Sequence, residues 1–119
     1  MPDRVMNVGF VGCGGFVQGN HLPNAAGNPN FRIRALCDLR RDILDTLRDR
    51  YRPDYVTTDL RDLARDRELE LVVLGTHPTV RVEPIRVLAG AGKHLLVEKP
   101  MSLGREDSRE IVQIVRQAG

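Results

Sequence analysis

The feature that most constrains this chain is a glycine-rich segment that directly follows a short apolar run. The run ends at Val11 and continues as Gly12-Cys13-Gly14-Gly15-Phe16-Val17. A turn without side chains lets the backbone approach the phosphates of a dinucleotide closely, and the helix after it offers unpaired N–H groups and a positive dipole end. The segment predicts a strand, a phosphate-binding turn contributed by Gly12, Gly14, Gly15, Phe16 and Val17, and a helix.

The match to the pattern G-x-G-x-x-G/A is incomplete. Gly12 and Gly14 fit the first two positions, but Val17 stands at the third, which governs how closely the helix packs on the strand. We expect the helix to be displaced slightly, with the extra Gly15 as compensation. A generic glycine-rich turn remains the alternative interpretation.

Composition limits the class of protein. The 119 residues predict a single domain over 1–119, with an aliphatic core because tryptophan is absent. The net charge of +2 comes from interleaved acidic and basic residues, which argues against a nucleic-acid or membrane partner.

The chain shows no secretory signal and no apolar stretch near the ~20 residues that cross a bilayer. We therefore expect a soluble, cytoplasmic protein. Cys13 and Cys37 are interpreted as two small buried side chains, with a redox bridge as the alternative.

Short apolar runs alternate with amphipathic segments along the whole chain. Strands are predicted over 5–11, 33–37, 55–57, 71–74 and 94–98, and helices over 16–26, 40–51, 60–65, 80–91 and 105–117. Gly90 and Gly92 are expected to end the fourth helix. Strict alternation predicts an α/β fold with a doubly wound parallel sheet, in which ligands bind at the carboxyl edge where the strand order reverses.

Asp38 follows the second predicted strand, roughly twenty residues after the glycine turn, where a carboxylate accepts hydrogen bonds from the adenosine ribose. The alternative is that it caps the next helix. A carboxylate repels the extra phosphate of NADP, so NAD is the expected cofactor. Arg40 and Arg41 leave NADP as an alternative, because an arginine beside the ribose accommodates that phosphate.

Two further segments follow predicted strands. Thr76-His77-Pro78 is a candidate nicotinamide-ribose loop, although Pro78 is equally compatible with a helix start and His77 with an exposed side chain. Glu98-Lys99-Pro100 brings an ammonium group to the same edge, where Lys99 is the candidate catalytic residue for moving a proton at the reacting oxygen. A surface pair of Glu98 and Lys99 is the alternative.

Taken together, these segments and Gly92-Lys93-His94-Leu95-Leu96-Val97-Glu98-Lys99-Pro100 resemble the amino-terminal half of the Gfo/Idh/MocA oxidoreductases. The resemblance implies a Rossmann domain that binds NAD or NADP, with Lys99 near the nicotinamide and with Glu98 and Pro100 shaping that corner. It also implies a sugar or polyol substrate. Thr76-His77-Pro78 and Arg81 depart from the family's usual Thr-Pro segment and later histidine.

Members of that family continue into a second α+β domain, which supplies the substrate pocket and much of the oligomer interface. We expect this chain to lack that domain, to be inactive alone, and to form homo-oligomers in its full-length form. The alternative function is a non-catalytic module that senses dinucleotide occupancy. A third hypothesis is an α/β domain whose altered loop binds no ligand.

Overall fold

The computed structural model describes residues 5–14, 17–76, 82–97 and 105–118. Its strands are β1 (Met6–Val11), β2 (Phe31–Cys37), β3 (Tyr55–Thr57), β4 (Leu71–Leu74) and β5 (His94–Val97). Its helices are α1 (Leu22–Ala26), α2 (Arg41–Tyr51), α3 (Leu60–Arg65), α4 (Val82–Gly90) and α5 (Arg105–Ala118), and a π-helical turn (Val17–His21) precedes α1. The predicted order of strands and helices is confirmed.

The five strands form one sheet in the order β3-β2-β1-β4-β5, and every neighbouring pair is parallel. The chain moves outward from β1 through β2 to β3, and then returns to the other side of β1 for β4 and β5. The strand order therefore reverses at β1, which confirms the predicted doubly wound α/β architecture and fixes where a ligand crevice opens.

Apolar side chains cover the sheet on both faces. One core contains Phe10, Leu22 and Leu44, so α1 and α2 pack on that face, while Ile85 and Ile111 belong to a second core formed with α4 and α5. Burial on both faces explains why strands such as β4 are apolar at successive positions instead of alternating with polar residues. No helix in the described ranges has the length and apolar character needed to cross a membrane.

The first predicted helix differs from a continuous α-helix. Val17–His21 forms a π-helical turn, and α1 begins only at Leu22, with Pro23 in its first turn. Proline has no N–H for an intrahelical hydrogen bond, and within a regular helix its ring clashes with the carbonyl four residues earlier. Starting α1 beside Pro23 puts the proline where a missing donor is tolerated.

The end of α4 follows the predicted glycine signal. Gly92 has a φ of 81°, and the N–H of Lys93 donates to the carbonyl of Leu88 at 3.1 Å while the N–H of Gly92 donates to Ala89 at 3.0 Å. This pair of bonds is a Schellman ending, which needs a left-handed residue that glycine adopts without strain. The turn leads directly into β5.

Candidate functional site

A cleft of about 990 Å³ opens at the carboxyl edge of the sheet. The end of β1 contributes Gly12 and Gly14, the end of β2 contributes Asp38 and Arg40, and the segment after β4 contributes Thr76. Five of the six predicted site residues that the structure describes therefore line one cleft, at the point where the strand order reverses, whereas the sixth, Val17, is buried.

The turn after β1 lies between the ends of β2 and β4. The N–H of Gly12 donates to the carbonyl of Cys37 at 2.9 Å, and the N–H of Gly75 donates to the carbonyl of Val11 at 2.8 Å. Gly12 has a φ of +82°, and a Cβ built on it would lie 2.7 Å from the backbone nitrogen of Thr76. The fold itself thus requires glycine at position 12.

Gly14 is different, because the residues that the structure describes leave space beside it. Among them, the nearest atom to a Cβ built there is Nη2 of Arg40 at 3.8 Å, which is an ordinary contact distance. Contacts with the described residues therefore do not explain the glycine. Its missing side chain leaves the backbone of the turn accessible from the cleft, as close approach of a pyrophosphate requires.

Val17 is accommodated in a way that the sequence analysis did not foresee. It begins the π-helical turn and is 1% exposed. The space that its side chain needs comes from Gly75 after β4, whose missing Cβ would otherwise overlap Val17 Cγ2. Gly15 and Phe16 lie outside the described residues.

Asp38 joins the glycine turn to the segment that precedes α2. Its Oδ2 accepts a hydrogen bond from the N–H of Cys13 at 2.8 Å. Its Oδ1 accepts from the N–H of Arg40 at 2.9 Å and from Nε of Arg40 at 3.3 Å. The residue at the N-cap position of α2 is Arg40. Asp38 therefore holds the segment that precedes the helix and is not its N-cap.

The carboxylate of Asp38 stays ionised although its side chain is almost completely buried. Burial alone would raise the pKa of Asp38, but the backbone N–H groups of Arg40 and Cys13 and the Arg40 side chain hold that pKa below its ordinary value. The cleft therefore carries a fixed negative charge next to the glycine turn.

The two cysteines are structural. Both thiols are free and buried, and Sγ of Cys13 lies 3.6 Å from the carbonyl oxygen of Cys37 as a weak donor. Burial, reinforced by the charge of Asp38, raises the pKa of each thiol to about 12. Thiols that stay protonated at neutral pH are unreactive, which supports the interpretation as small buried side chains.

Gln18 also stabilises the turn, and the sequence analysis missed it. Its Nε2 donates to the carbonyl of Cys13 at 2.8 Å, and its N–H donates to the carbonyl of Gly14 at 2.9 Å. A glutamine one position after the glycine pattern has no local signature. Only the folded turn shows that its side chain reaches back.

The structure describes only part of the nicotinamide half of the predicted site. Thr76 lines the cleft, and Val97 at the end of β5 pairs with Leu74 at the end of β4, so these two strands end at the same edge. The other candidate residues of this half lie outside the described ranges: His77, Pro78, Arg81, Glu98, Lys99 and Pro100.

Comparison with known proteins identifies this architecture. The chain is 28% identical over 111 residues to the uncharacterized oxidoreductase YrbE of Bacillus subtilis, an alignment that covers 93% of the chain and 32% of YrbE. The scyllo-inositol dehydrogenase of Lactobacillus casei superposes with a TM-score of 0.90 at 23% identity, over 99% of this chain and 35% of that one. KijD10, a 3-ketoreductase from Actinomadura kijaniata solved with NADP and TDP-benzene, superposes with a TM-score of 0.87 at 23% identity. That superposition covers 97% of this chain and 35% of KijD10.

The chain therefore spans about a third of the length of the proteins that it matches. The sequence profile of the Gfo/Idh/MocA oxidoreductase family, described as an NAD-binding Rossmann fold, matches residues 6–119. On that match, and on a five-stranded parallel sheet with a glycine turn at its switch point, this chain belongs to the Gfo/Idh/MocA oxidoreductase family as an NAD-binding Rossmann domain.

Proposed function

We propose that residues 1–119 form the cofactor-binding domain of an NAD(P)-dependent oxidoreductase. The reaction would transfer a hydride between the nicotinamide and a sugar- or polyol-like alcohol or carbonyl. The hydrogen bond from the Cys13 N–H to Asp38 Oδ2 is the observation that carries this proposal, because it joins the predicted phosphate and ribose sites within one cleft.

In this proposal the pyrophosphate lies against the backbone of Gly12–Gly14, and Asp38 accepts from the adenosine ribose. Thr76, His77 and Pro78 face the nicotinamide half. When bound, the nicotinamide ring supplies or accepts the hydride. Lys99 holds or moves the proton at the substrate oxygen and stabilises its developing negative charge, with Glu98 and Pro100 fixing that corner.

The substrate class is supported by structural neighbours. The scyllo-inositol dehydrogenase of Lactobacillus casei has been solved with NAD(H) and scyllo-inositol, and a levoglucosan dehydrogenase has been solved with NADH and L-sorbose. We propose a small sugar or polyol substrate for this protein too. Because the family resemblance puts the substrate pocket in a second domain, we expect this chain alone to bind cofactor without sustained turnover.

Cofactor binding is tested by titrating the chain with NADH and following nicotinamide fluorescence, which no tryptophan overlaps because the chain has none. Gly14→Val is the informative variant. A Cβ at this position makes only an ordinary contact with the described residues, so we expect the variant to keep its melting temperature while binding falls by at least about tenfold, since the added side chain blocks the phosphate turn. Undiminished binding in this variant, or saturable binding of neither NADH nor NADPH by the wild type, would exclude the proposed site.

Catalysis is tested separately with Lys99→Ala, in a longer form of the protein that turns over a sugar or polyol. We expect kcat to fall by about 100-fold or more, while the Kd for NADH changes by less than about threefold, because the lysine acts on the reacting oxygen. If cofactor binds but no alcohol or carbonyl is converted, the sensing module becomes the better assignment.

A further inference from the structure

The backbone N–H groups of the glycine turn are used unequally. The N–H of Gly12 donates to the carbonyl of Cys37, which is part of the sheet. The N–H of Cys13 donates to Oδ2 of Asp38. No described residue accepts a hydrogen bond from the N–H of Gly14. Because Gly14 lines the cleft, its N–H is a backbone donor that the described part of the fold leaves for another partner.

Gln18 holds the other end of the same peptide group. Its Nε2 donates to the carbonyl oxygen of Cys13 at 2.8 Å, and its own N–H donates to the carbonyl of Gly14 at 2.9 Å. In the described part of the chain, the donor that reaches the Cys13 carbonyl comes from Gln18. Gln18 is half-buried and is not among the described residues that line the cleft, so its side chain acts on the turn from behind.

The carbonyl of Cys13 and the N–H of Gly14 belong to one planar unit. In a trans peptide group these two bonds point in opposite directions, so a hydrogen bond that fixes the carbonyl also fixes the direction of the N–H. Glycine allows a wide range of φ, and this peptide would otherwise turn easily at Gly14. The bond from Gln18 therefore restricts the freedom that the glycine introduces.

We propose that Gln18 is a positioning residue for the dinucleotide. By holding the carbonyl of Cys13, it keeps the N–H of Gly14 directed at the pyrophosphate, so that the donor is already oriented before the cofactor arrives. A donor oriented in advance does not lose conformational freedom on binding, and that loss would otherwise weaken the affinity. This inference rests on the proposed function, which puts the pyrophosphate on the turn but gives no part to Gln18.

The test compares ligands with and without a pyrophosphate. NADH and ADP carry one, whereas adenosine has the same base and ribose without it. Gln18→Met removes the donor and keeps an unbranched side chain of similar length. Gln113→Met is the matched control, because Gln113 is exposed on α5 and is not among the residues lining the cleft.

Titrations followed through the backbone amide resonances give the Kd of each ligand and report on the Gly14 amide directly. Gln18→Met should weaken NADH and ADP by about fivefold or more, the effect of misdirecting one hydrogen bond to a charged group. It should change adenosine by less than about twofold, and ADP should shift the Gly14 resonance less than in the wild type. Gln113→Met should leave all three ligands within about twofold.

Gln18→Asn is a second variant, because its side chain is polar but too short for the same contact. It should reproduce the selective loss, and it replaces Gln18→Met if the melting temperature of that variant shows that it does not fold. Unchanged binding of NADH and ADP in a folded variant would overturn the inference.

Equal weakening of NADH, ADP and adenosine would also overturn it, since Gln18 would then support the cleft as a whole and not the phosphate donor. Both of these results leave the proposed function intact, because the wild type still binds the cofactor. A wild type that binds neither NADH nor ADP rejects the proposed function itself, and the inference with it.

Discussion

The side chain of Val17 fills the space in which a side chain on Gly75 would lie. Val17 is buried directly after the glycine turn, and Gly75 follows β4 with its Cα facing that valine. A Cβ on Gly75 would overlap Val17 Cγ2 and would also lie 2.8 Å from the carbonyl oxygen of Gly12. A larger residue in the helix is thus matched by the smallest residue in the neighbouring loop.

Gly75→Ala should therefore destabilise the protein by about 1–3 kcal/mol, the usual cost of overpacking. Adding Val17→Ala should recover part of the loss, with a coupling of about 1 kcal/mol between the two sites. Chemical denaturation of the single and double variants measures both quantities. Gly90→Ala is the control, because a Cβ there meets no atom of the described residues within 4 Å. Additive effects of the two substitutions would show that the residues do not share this space.

Asp38→Asn should loosen the glycine turn even without cofactor. The amide keeps the size of the side chain but loses the charge-assisted bond from the Cys13 N–H, and we expect a loss of about 1–2 kcal/mol at pH 7. Hydrogen exchange of the 12–14 backbone amides should become faster. Asp49→Asn on the exposed side of α2 serves as the control. Unchanged exchange in Asp38→Asn would mean that the carboxylate does not hold the turn.

The buried cysteines predict a loss of stability at alkaline pH. Folding raises the pKa of each thiol from 9.0 to about 12, so the folded state retains protons that the unfolded chain releases. The contribution of these thiols is complete below pH 9.0 and declines as the pH rises through about 12. Denaturation curves between those limits should show falling stability, and replacing both cysteines with alanine should flatten the decline.

The same thiols should resist labelling in the folded protein. At pH 8 a thiol with a pKa near 12 is ionised in only about one molecule in 10⁴, whereas an unfolded cysteine is ionised in about a tenth or more. A thiol reagent should therefore label Cys13 and Cys37 only after denaturant is added. Rapid labelling of the native chain would contradict their burial.

The hydrogen bonds and ion pair of Asp66 predict that the folded protein loses stability in acid. Burial would raise the pKa of its carboxyl, but Arg34 at 2.6 Å, the Tyr55 hydroxyl at 2.8 Å and the Glu68 N–H at 3.0 Å lower it below 3.8. The stabilisation is present above pH 3.8 and is lost as the pH falls through the native pKa.

Asp66→Asn should cost about 1–3 kcal/mol at pH 7, because two side-chain partners lose a charged acceptor. The difference between this variant and the wild type should shrink below pH 4, as the wild-type carboxyl also becomes neutral. If the difference in unfolding free energy between the two proteins stayed constant down to the lowest pH measured, charge would not be the source of the effect.

Much of the fold could be predicted because its signals are local. Each strand is a short apolar run, and Gly92 ends α4 through a backbone conformation that glycine adopts without strain. Asp38 could be placed at the cleft because parallel strands bring their carboxyl ends to one edge. The π-helical turn at Val17–His21 was not predicted, since the residues there fit a regular helix and only Pro23 disturbs it.

Hydrophobic periodicity and glycine act within a few residues, so the alternating strands and helices, the glycine turn and the carboxylate at its edge follow from local sequence. That Gly75 makes room for Val17, and that the two oxygens of Asp38 bind Cys13 and Arg40, becomes visible only in the folded chain. Contacts between segments far apart in the chain depend on how closely packed elements meet, and neither residue of such a pair carries a local mark of its partner.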